Sequence, residues 1–486
     1  MSRSAASGAV ADPDREPPAL AALPPAAPAP AAHRPWVRRL ARSLAWNAVS
    51  EFTARGASLW LSFACARALP VEAFGRFAYA LALAQYVWLI GDTVANGGYA
   101  TRELARVAHE NPGAAPALEG RLLAMRLAAA AILTAVMLAV LALARLPADL
   151  HGALAGASVF FLAYAAFPDW ALRAHEDFRG LALANAAAAG VLLAGTLFWL
   201  PRHPSAGVAT ALWAGSFAVA AAITLVRTAR RRRLALRGGD PLASHTNRSF
   251  VFSLGAIGGI GCAQAPMLLV GSLATPLAAG LFGAAYRFLL VVINGFSVLW
   301  WPLMPVLVRS RPGERDFGDA LAAMTSVVLL LGLPALLAFT LWPRELLTLA
   351  FGPRYAPGAP VLRIAGLVVP LFAGTALLEQ TSLALGGEGV RARVNAAALA
   401  VLVGLGLLLA PSRGPAGVAL ALLAAYAVSF GAYAVRHHAV LPWSAIARRA
   451  RGPLALNAGL AIAWCTARAL HAPALPALVV AAALYL

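Results

Sequence analysis

The chain has 486 residues, of which 61% are hydrophobic and only 12% are charged. Soluble globular proteins average about 45–50% apolar and about 25% charged residues, so this composition excludes a water-soluble fold. The net charge of +19 arises from 39 basic residues, all of them arginine, against 20 acidic ones. We attribute this excess to the cytoplasmic loops of a membrane protein, which are enriched in basic residues, and not to nucleic-acid binding.

The amino-terminal segment differs in composition from the rest of the chain. Residues 24–30 read Pro-Pro-Ala-Ala-Pro-Ala-Pro, and Pro and Ala dominate up to about residue 35. Proline at this density prevents an α-helix and favours an extended or disordered chain. The sequence therefore predicts that residues 1–40 form a disordered cytoplasmic tail.

From Leu44 onward, long apolar runs alternate with short polar breaks. A helix needs about 20 residues to cross a bilayer, so the pattern predicts an all-α polytopic membrane protein with about 12–14 transmembrane helices. They are predicted at residues 44–66, 77–99, 122–144, 152–172, 181–200, 206–226, 250–272, 281–304, 320–342, 361–385, 394–411, 416–435, 453–471 and 474–486. The last run is short, and no connection is long enough to hold a soluble domain.

The spans are predicted to form two pseudo-symmetric six-helix bundles, at residues 41–235 and 236–440, followed by additional helices at 441–486. An arginine cluster between Arg227 and Arg237 separates the halves. A short internal echo supports this division, since residues 74–79 (Phe-Gly-Arg-Phe-Ala-Tyr) and 282–287 (Phe-Gly-Ala-Ala-Tyr-Arg) each begin the second span of a half. Parallel repeats of this kind place a transporter's substrate site between the halves.

The arginines also predict the orientation of the chain. With a cytoplasmic amino terminus, about 28 of them fall on the cytoplasmic side and about nine on the other side, as the positive-inside rule requires.

The arginine-only, alanine-rich composition is typical of a bacterial genome rich in G and C. We therefore expect the protein in a bacterial cytoplasmic (inner) membrane.

Several stretches occur in an order typical of one transporter family. The first span is followed by Ala-Arg-Ala-Leu-Pro at 66–70, then by Phe74-Gly75, by Asp92 late in the second span and by Arg102-Glu103. Residues 279–287, followed by Pro302 and Pro305, begin the eighth span. Residues 349–356, with 361–364, precede the tenth span, and residues 414–421 begin the twelfth. Over roughly residues 44–440, the chain resembles the polysaccharide flippase family of the multidrug/oligosaccharidyl-lipid/polysaccharide (MOP) exporter superfamily.

The resemblance implies an activity and its partners. The cargo would be a polyprenyl-diphosphate-linked oligosaccharide, such as the repeat unit of a lipopolysaccharide O antigen or an exopolysaccharide, moved from the inner to the outer leaflet. Glycosyltransferases and a glycan polymerase would act beside it. One departure stands out, because Gln264 precedes the apolar part of the seventh span where the family often has an acidic residue. The substrate and the coupling mechanism therefore stay open.

Charged residues inside the spans are the candidate substrate-binding groups. Arg55 lies midway along the first span with Glu51 one helical turn before it on the same face, which allows either a structural ion pair or an arginine that binds substrate phosphate. Arg287 lies about two turns inside the eighth span, where snorkelling to the interface competes with a role in a cavity. An intramembrane charge is costly, so we consider Arg55, Glu51 and Arg287 as substrate-binding residues.

Carboxylates near the cytoplasmic ends of two spans are candidates for ion coupling. Asp92 lies in the second span, and Glu379 with Gln380 at a similar depth in the tenth. Either carboxylate could exchange protons or bind sodium in a coupled transporter. The competing interpretation is polar packing at a helix end, or pairing with nearby arginines, which avoids an unpaired buried charge.

Two other functional classes compete with a flippase. A small-molecule or multidrug exporter of the same superfamily, driven by an ion gradient, has the same two-bundle architecture and is the principal alternative. A membrane enzyme is disfavoured, because the outer loops are short and no nucleophile–base pair is apparent. The three cysteines lack paired spacing and no Walker A motif occurs, so we expect no metal, no cofactor and no use of ATP. Alternating access, with the two bundles rocking around a central cavity, is the expected mechanism.

Overall fold

The computed structural model describes residues 34–231, 242–309 and 314–469. Most of the predicted tail, part of the arginine cluster and the last predicted span (474–486) lie outside these residues. By internal contacts the chain divides into Met1–Arg42 and Ser43–Leu486. Apart from the start of the first helix, all the helices belong to the second of these units.

Every regular element in the described ranges is helical. The first half contains α1 (Arg34–Ala68), α2 (Val71–Asp92), α3 (Gly97–Glu110), α4 (Ala115–Leu143), α5 (Ala148–Ala165), α6 (Asp169–Ala174), α7 (Phe178–Ala194, continued by a π-helical turn Gly195–Trp199) and α8 (Ala206–Arg231). The second half contains α9 (Leu242–Leu273), α10 (Pro276–Arg309), α11 (Arg315–Leu341), α12 (Pro343–Phe351), a 3₁₀ turn (Pro353–Gly358), α13 (Ala359–Ala384), α14 (Glu388–His437) and α15 (Trp443–Ala469).

Length and hydropathy identify the membrane-spanning helices. Within the described ranges, nine helical segments are long and apolar enough to cross a bilayer. Large apolar side chains such as Ile132, Leu143 and Leu408 are exposed on these helices, as expected for surfaces that face lipid. The predicted all-α polytopic membrane fold is thus confirmed for the described ranges. The number of about 12–14 spans and the division into two bundles plus an extra pair stay predictions.

Two helix boundaries show how local chemistry divides the apolar runs. The predicted span 77–99 is wrong at both ends, because α2 begins at Val71 and stops at Asp92. Asn96 begins a new helix there, since its side-chain oxygen accepts hydrogen bonds from the N–H groups of Gly98 (2.9 Å) and Tyr99 (3.3 Å). Farther on, Gly414 has a positive φ of 56° and interrupts the 50-residue α14, which matches the two predicted spans at 394–411 and 416–435.

The helices pack in the same order in both halves. In the first half, α2 and α4 both pack on α5, and α5 packs on α8; in the second half, α10 and α11 both pack on α13, and α13 packs on α14. The halves meet where α2 packs on α9 and α10. From this connectivity, the turn after α2 and the turn after α5 lie at the same end of the molecule. These turns carry α3 and α6, and we call this end the basic side. The α1–α2 turn and α12 lie at the other end, which we call the opposite side.

Glycines bring α2 and α10 together near the opposite side. A Cβ atom at Gly75 would lie 2.6 Å from the Gly280 nitrogen, and one at Gly280 would overlap the Val71 carbonyl oxygen. A Cβ at Gly283 would lie 3.2 Å from the Ala78 Cβ. The two segments of the internal echo therefore face each other across the interface between the halves, and only glycine permits this separation.

Candidate functional site

A partly open cavity of about 520 Å³, here called the central cavity, is lined by α1, α2, α5, α7 and α8 of the first half, with one residue from α9 of the second half. Aromatic side chains form one part of its lining: Trp88, Phe160, Tyr164, Trp213 and Phe217. Polar side chains form another part: Arg55, Ser58, Gln85, Asn185, Ser216 and Gln264. Among the described residues, its lining includes no Asp or Glu, and Arg55 is the one charged side chain there.

Arg55 reaches the central cavity from α1 and is held by both halves of the molecule. Its Nε lies 3.2 Å from a carboxylate oxygen of Glu51, and its Nη1 donates to the side-chain oxygen of Asn294 on α10 at 2.8 Å. Glu51 also accepts a hydrogen bond of 2.9 Å from Arg173 on α6. The structure therefore brings Arg55 and Glu51 together, as the sequence predicts, and adds a second arginine to the same carboxylate.

Arg287 lines a separate, smaller cavity of about 50 Å³. Gln85 and Gln264 line this small cavity as well as the central one, and they are joined by a hydrogen bond of 2.9 Å from Gln264 Nε2 to Gln85 Oε1. Among the described residues, Arg287 makes no hydrogen bond and no ion pair. The two candidate arginines thus lie in neighbouring compartments, divided by an amide pair that links α2 to α9.

Asp92 lies in a buried ion pair behind the aromatic part of the central cavity. Arg126, whose side chain is 1% exposed, donates to Asp92 at 2.9 Å, and Asn96 donates to the same carboxylate at 2.6 Å. The Arg126 guanidinium also lies 5.3 Å from the Trp88 ring centre and 5.9 Å from that of Tyr164. A positive charge therefore stands behind two of the rings that line the cavity.

The other predicted coupling residues lie in the second half. Glu379 accepts a hydrogen bond of 2.6 Å from Arg391 at the start of α14, and Gln380 is half-buried beside it. Neither residue lines the central cavity. Ion exchange at Asp92 or Glu379, which stays a prediction, would therefore require an ion pair to open.

On the opposite side, the halves are joined by arginines that bind helix-terminal carbonyls. Arg354 donates to the carbonyl oxygens of Ala66 (2.8 Å) and Arg67 (2.7 Å) at the end of α1. Arg67 in return donates to the Leu349 carbonyl at 3.1 Å, and the Tyr355 hydroxyl donates to Ala66 at 3.1 Å. Carbonyls at a helix carboxyl terminus lack intrahelical partners and carry partial negative charge, which explains this geometry. We call this set the arginine latch.

A second set of contacts joins the halves on the basic side. The Asn96 N–H donates to the Ser249 hydroxyl at 2.6 Å, and the Tyr99 hydroxyl lies 2.9 Å from His245 Nδ1. The halves therefore touch at both ends of the molecule. On the same helix as Tyr99, hydrogen bonds from Arg106 lower the pKa of the Glu103 carboxyl, so this residue is ionised at neutral pH.

Sequence reasoning missed several residues of this site. Arg126 lies inside the predicted span 122–144, so the cost of an intramembrane charge was the signal that identifies it. Arg173 and Asn294 carry no such signal, because the first follows a predicted span and the second is a neutral residue within one. Their roles depend on contacts between helices that are distant in the sequence.

By sequence, the chain matches no protein-family model and no curated protein. Its fold is similar to that of a multidrug resistance MATE family transporter of the MOP superfamily in an inward-facing conformation (TM-score 0.65, 13% identity, covering 83% of this chain and 98% of that one). It is also similar to the lipid II flippase MurJ in an inward closed conformation (TM-score 0.65, 10% identity, 90% and 96%). The eukaryotic MATE transporter AtDTX14 has a TM-score of 0.57 at 14% identity, over 86% and 99% of the two chains. The chain therefore has the fold that these transporters and this flippase share.

Proposed function

We propose that this chain is a transporter of the MOP superfamily that flips a polyprenyl-diphosphate-linked oligosaccharide from the inner to the outer leaflet of a bacterial cytoplasmic membrane. The fold is shared with a lipid II flippase as well as with multidrug transporters, so the cargo must be argued from the cavity. The observation that carries the proposal is an arginine at a cavity whose described lining residues include no carboxylate. A guanidinium binds a phosphate through two parallel hydrogen bonds, which suits a diphosphate.

The charges around the two cavities support an anionic cargo. Glu51 is held by Arg55 and Arg173, and Asp92 by Arg126, so these acidic groups are already neutralised by protein. Arg287 adds a further positive charge at the neighbouring cavity. An arriving diphosphate would meet basic groups, and the carboxylates of Glu51 and Asp92 would already be paired.

The contacts at the two ends suit alternating access. Opening on the opposite side requires the arginine latch to break, and opening on the basic side requires the contacts of Asn96 and Tyr99 with α9 to break. The cycle would expose the central cavity to one side at a time. Glycosyltransferases would supply the cargo, and a glycan polymerase would consume it.

Export of small cationic molecules is the second candidate, and the five aromatic side chains of the central cavity favour it. Two observations oppose it. In the described part of the chain, the cavity lining offers no carboxylate to a cation, and the Arg126 guanidinium already lies against Trp88 and Tyr164. A second cation at those rings would meet like charge.

The deciding experiment compares the two cargoes in proteoliposomes. A fluorescent prenyl-diphosphate sugar and a cationic dye are each supplied, and transport is normalised to the amount of reconstituted protein. We expect movement of the diphosphate lipid, strong impairment by Arg55→Ala and weaker impairment by Arg55→Lys, which keeps the charge but loses the bidentate geometry. Arg145→Ala is the matched control, because Arg145 is exposed between α4 and α5. Transport of the dye alone would contradict the proposal in favour of an exporter.

A further inference from the structure

The polar side chains of the central cavity have unused hydrogen-bonding capacity. Among the described residues, the Tyr164 hydroxyl makes no hydrogen bond, and Asn185 uses only its NH₂ group, which donates to Ser50 at 2.8 Å. The Gln264–Gln85 hydrogen bond leaves the Gln85 NH₂ group and the Gln264 carbonyl oxygen available. These groups include donors and acceptors, and none of them is charged.

Aromatic rings stand beside these polar groups. Phe160 stacks on Trp213, with ring centres 4.4 Å apart and planes inclined by 22°, and on Tyr164 at 5.1 Å and 26°. Phe217 packs edge-on against Tyr164 at 5.4 Å. Each ring packs on at least one other, which restricts its rotation and reduces the side-chain entropy lost when a ligand binds against the wall.

This combination identifies the chemical class of the ligand. A phosphate needs positive charge, and among the described residues that line the central cavity only Arg55 carries one. A cation needs a carboxylate or an unoccupied aromatic face, and a purely apolar molecule would leave the amides and the hydroxyl unpaired, which is unfavourable. A pyranose ring satisfies both kinds of surface, since each hydroxyl donates and accepts while the carbon faces of the ring are apolar.

We infer that the central cavity is a subsite for an uncharged sugar ring of the cargo, bound against the aromatic wall next to a diphosphate at Arg55. The inference rests on the proposed function and adds to it the place and the charge of the sugar. A volume of about 520 Å³ lies within the range of about 300–1,000 Å³ typical of small-ligand sites. Tyr164 and Asn185 supply hydrogen bonds to the ring hydroxyls.

The test measures equilibrium binding of three probes to the purified full-length protein: farnesyl diphosphate, its glucosyl derivative and its glucuronyl derivative. The wild-type protein should bind the glucosyl probe more tightly than the sugar-free one. Tyr164→Phe and Asn185→Leu should each reduce the ratio of these two affinities about tenfold, the effect of one hydrogen bond to a sugar hydroxyl. Tyr433→Phe is the matched control, because it removes a hydroxyl that also has no hydrogen-bond partner among the described residues but lies outside the cavity.

The outcomes separate the inference from the proposed function. Equal binding of the glucosyl and sugar-free probes by the wild-type protein would overturn the sugar subsite and leave a diphosphate transporter. An unchanged ratio in both cavity variants, or the same change in Tyr433→Phe, would also overturn it. Tighter binding of the glucuronyl than of the glucosyl probe would contradict an uncharged ring. If the wild-type protein binds none of the probes, the proposed function fails together with the subsite.

Discussion

Replacing Arg55 by alanine should stop transport at little cost in stability, because Glu51 keeps a second basic partner. The Arg55 and Glu51 side chains are 38% and 28% exposed, and pairs with this degree of exposure contribute about 0–1 kcal/mol. Loss of the hydrogen bond to Asn294 adds about 1 kcal/mol. Arg173 remains 2.9 Å from Glu51, so no carboxylate is left unpaired. We therefore expect the free energy of unfolding to fall by about 1–2 kcal/mol.

The effect on transport should be much larger. Two charge-assisted hydrogen bonds to the diphosphate are worth about 1.5–3 kcal/mol each, so their loss reduces transport by about 10²–10⁴-fold. Glu51→Ala should have the opposite effect, with a larger loss of stability and a smaller loss of transport, because it leaves Arg55 and Arg173 without the carboxylate between them. Its expected cost in stability is about 2–3 kcal/mol, less than for a fully buried pair because these groups are partly exposed.

The assay measures the flipping rate per reconstituted protein and the unfolding midpoint of the same preparations for Arg55→Ala, Glu51→Ala and the double variant. Transport that falls only in proportion to folded protein would refute a binding role for Arg55. Recovery of transport in the double variant would refute it equally, because deleting the resting partner of a ligand contact cannot restore that contact.

Three further predictions follow from the packing, the ion pairs and the arginine distribution. Gly280→Leu should prevent closure on the opposite side and raise the labelling of engineered cysteines there, whereas Gly295→Leu, in open space on the same helix, should not. Arg126→Leu should destabilise the protein by about 3–5 kcal/mol, because it leaves Asp92 buried and unpaired. The measurement is thermal or denaturant unfolding. Adding Asp92→Asn should recover much of the lost stability, and no recovery would contradict the pairing. A reporter fused after Gly238 should report the cytoplasm, and activity typical of the outer compartment would overturn the predicted orientation.

The fold could be predicted from the sequence to the extent that it depends on apolar length. Runs of about 20 apolar residues identify most of the long helices without any tertiary information. The boundaries that failed depend on single side chains. The second apolar run is divided because the amide oxygen of Asn96 caps α3 and starts a new helix there. A hydropathy profile does not detect such a hydrogen bond.

The candidate site could be predicted where a charge lies inside a span. Arg55 and Arg287 are identifiable in this way, and both line cavities in the structure. The partners of these charges could not be predicted, because they come from distant parts of the chain: Asn294 is 239 residues from Arg55. The latch residue Arg354 was missed for a different reason, since an arginine in a loop has the same appearance in the sequence whether it contacts water or a helix terminus.

The arginine latch also has a consequence for how the protein is made. Arg354 and the Arg67 carbonyl that it binds are 287 residues apart in the sequence. Ribosomes add about 5–20 residues per second, so α1 is complete about 15–60 s before its partner is synthesised. During that interval the first half lies in the bilayer with the carbonyls at the end of α1 lacking their arginine. A truncated chain that ends before α12 would never supply this arginine, so the carbonyls at the end of α1 would keep this defect permanently.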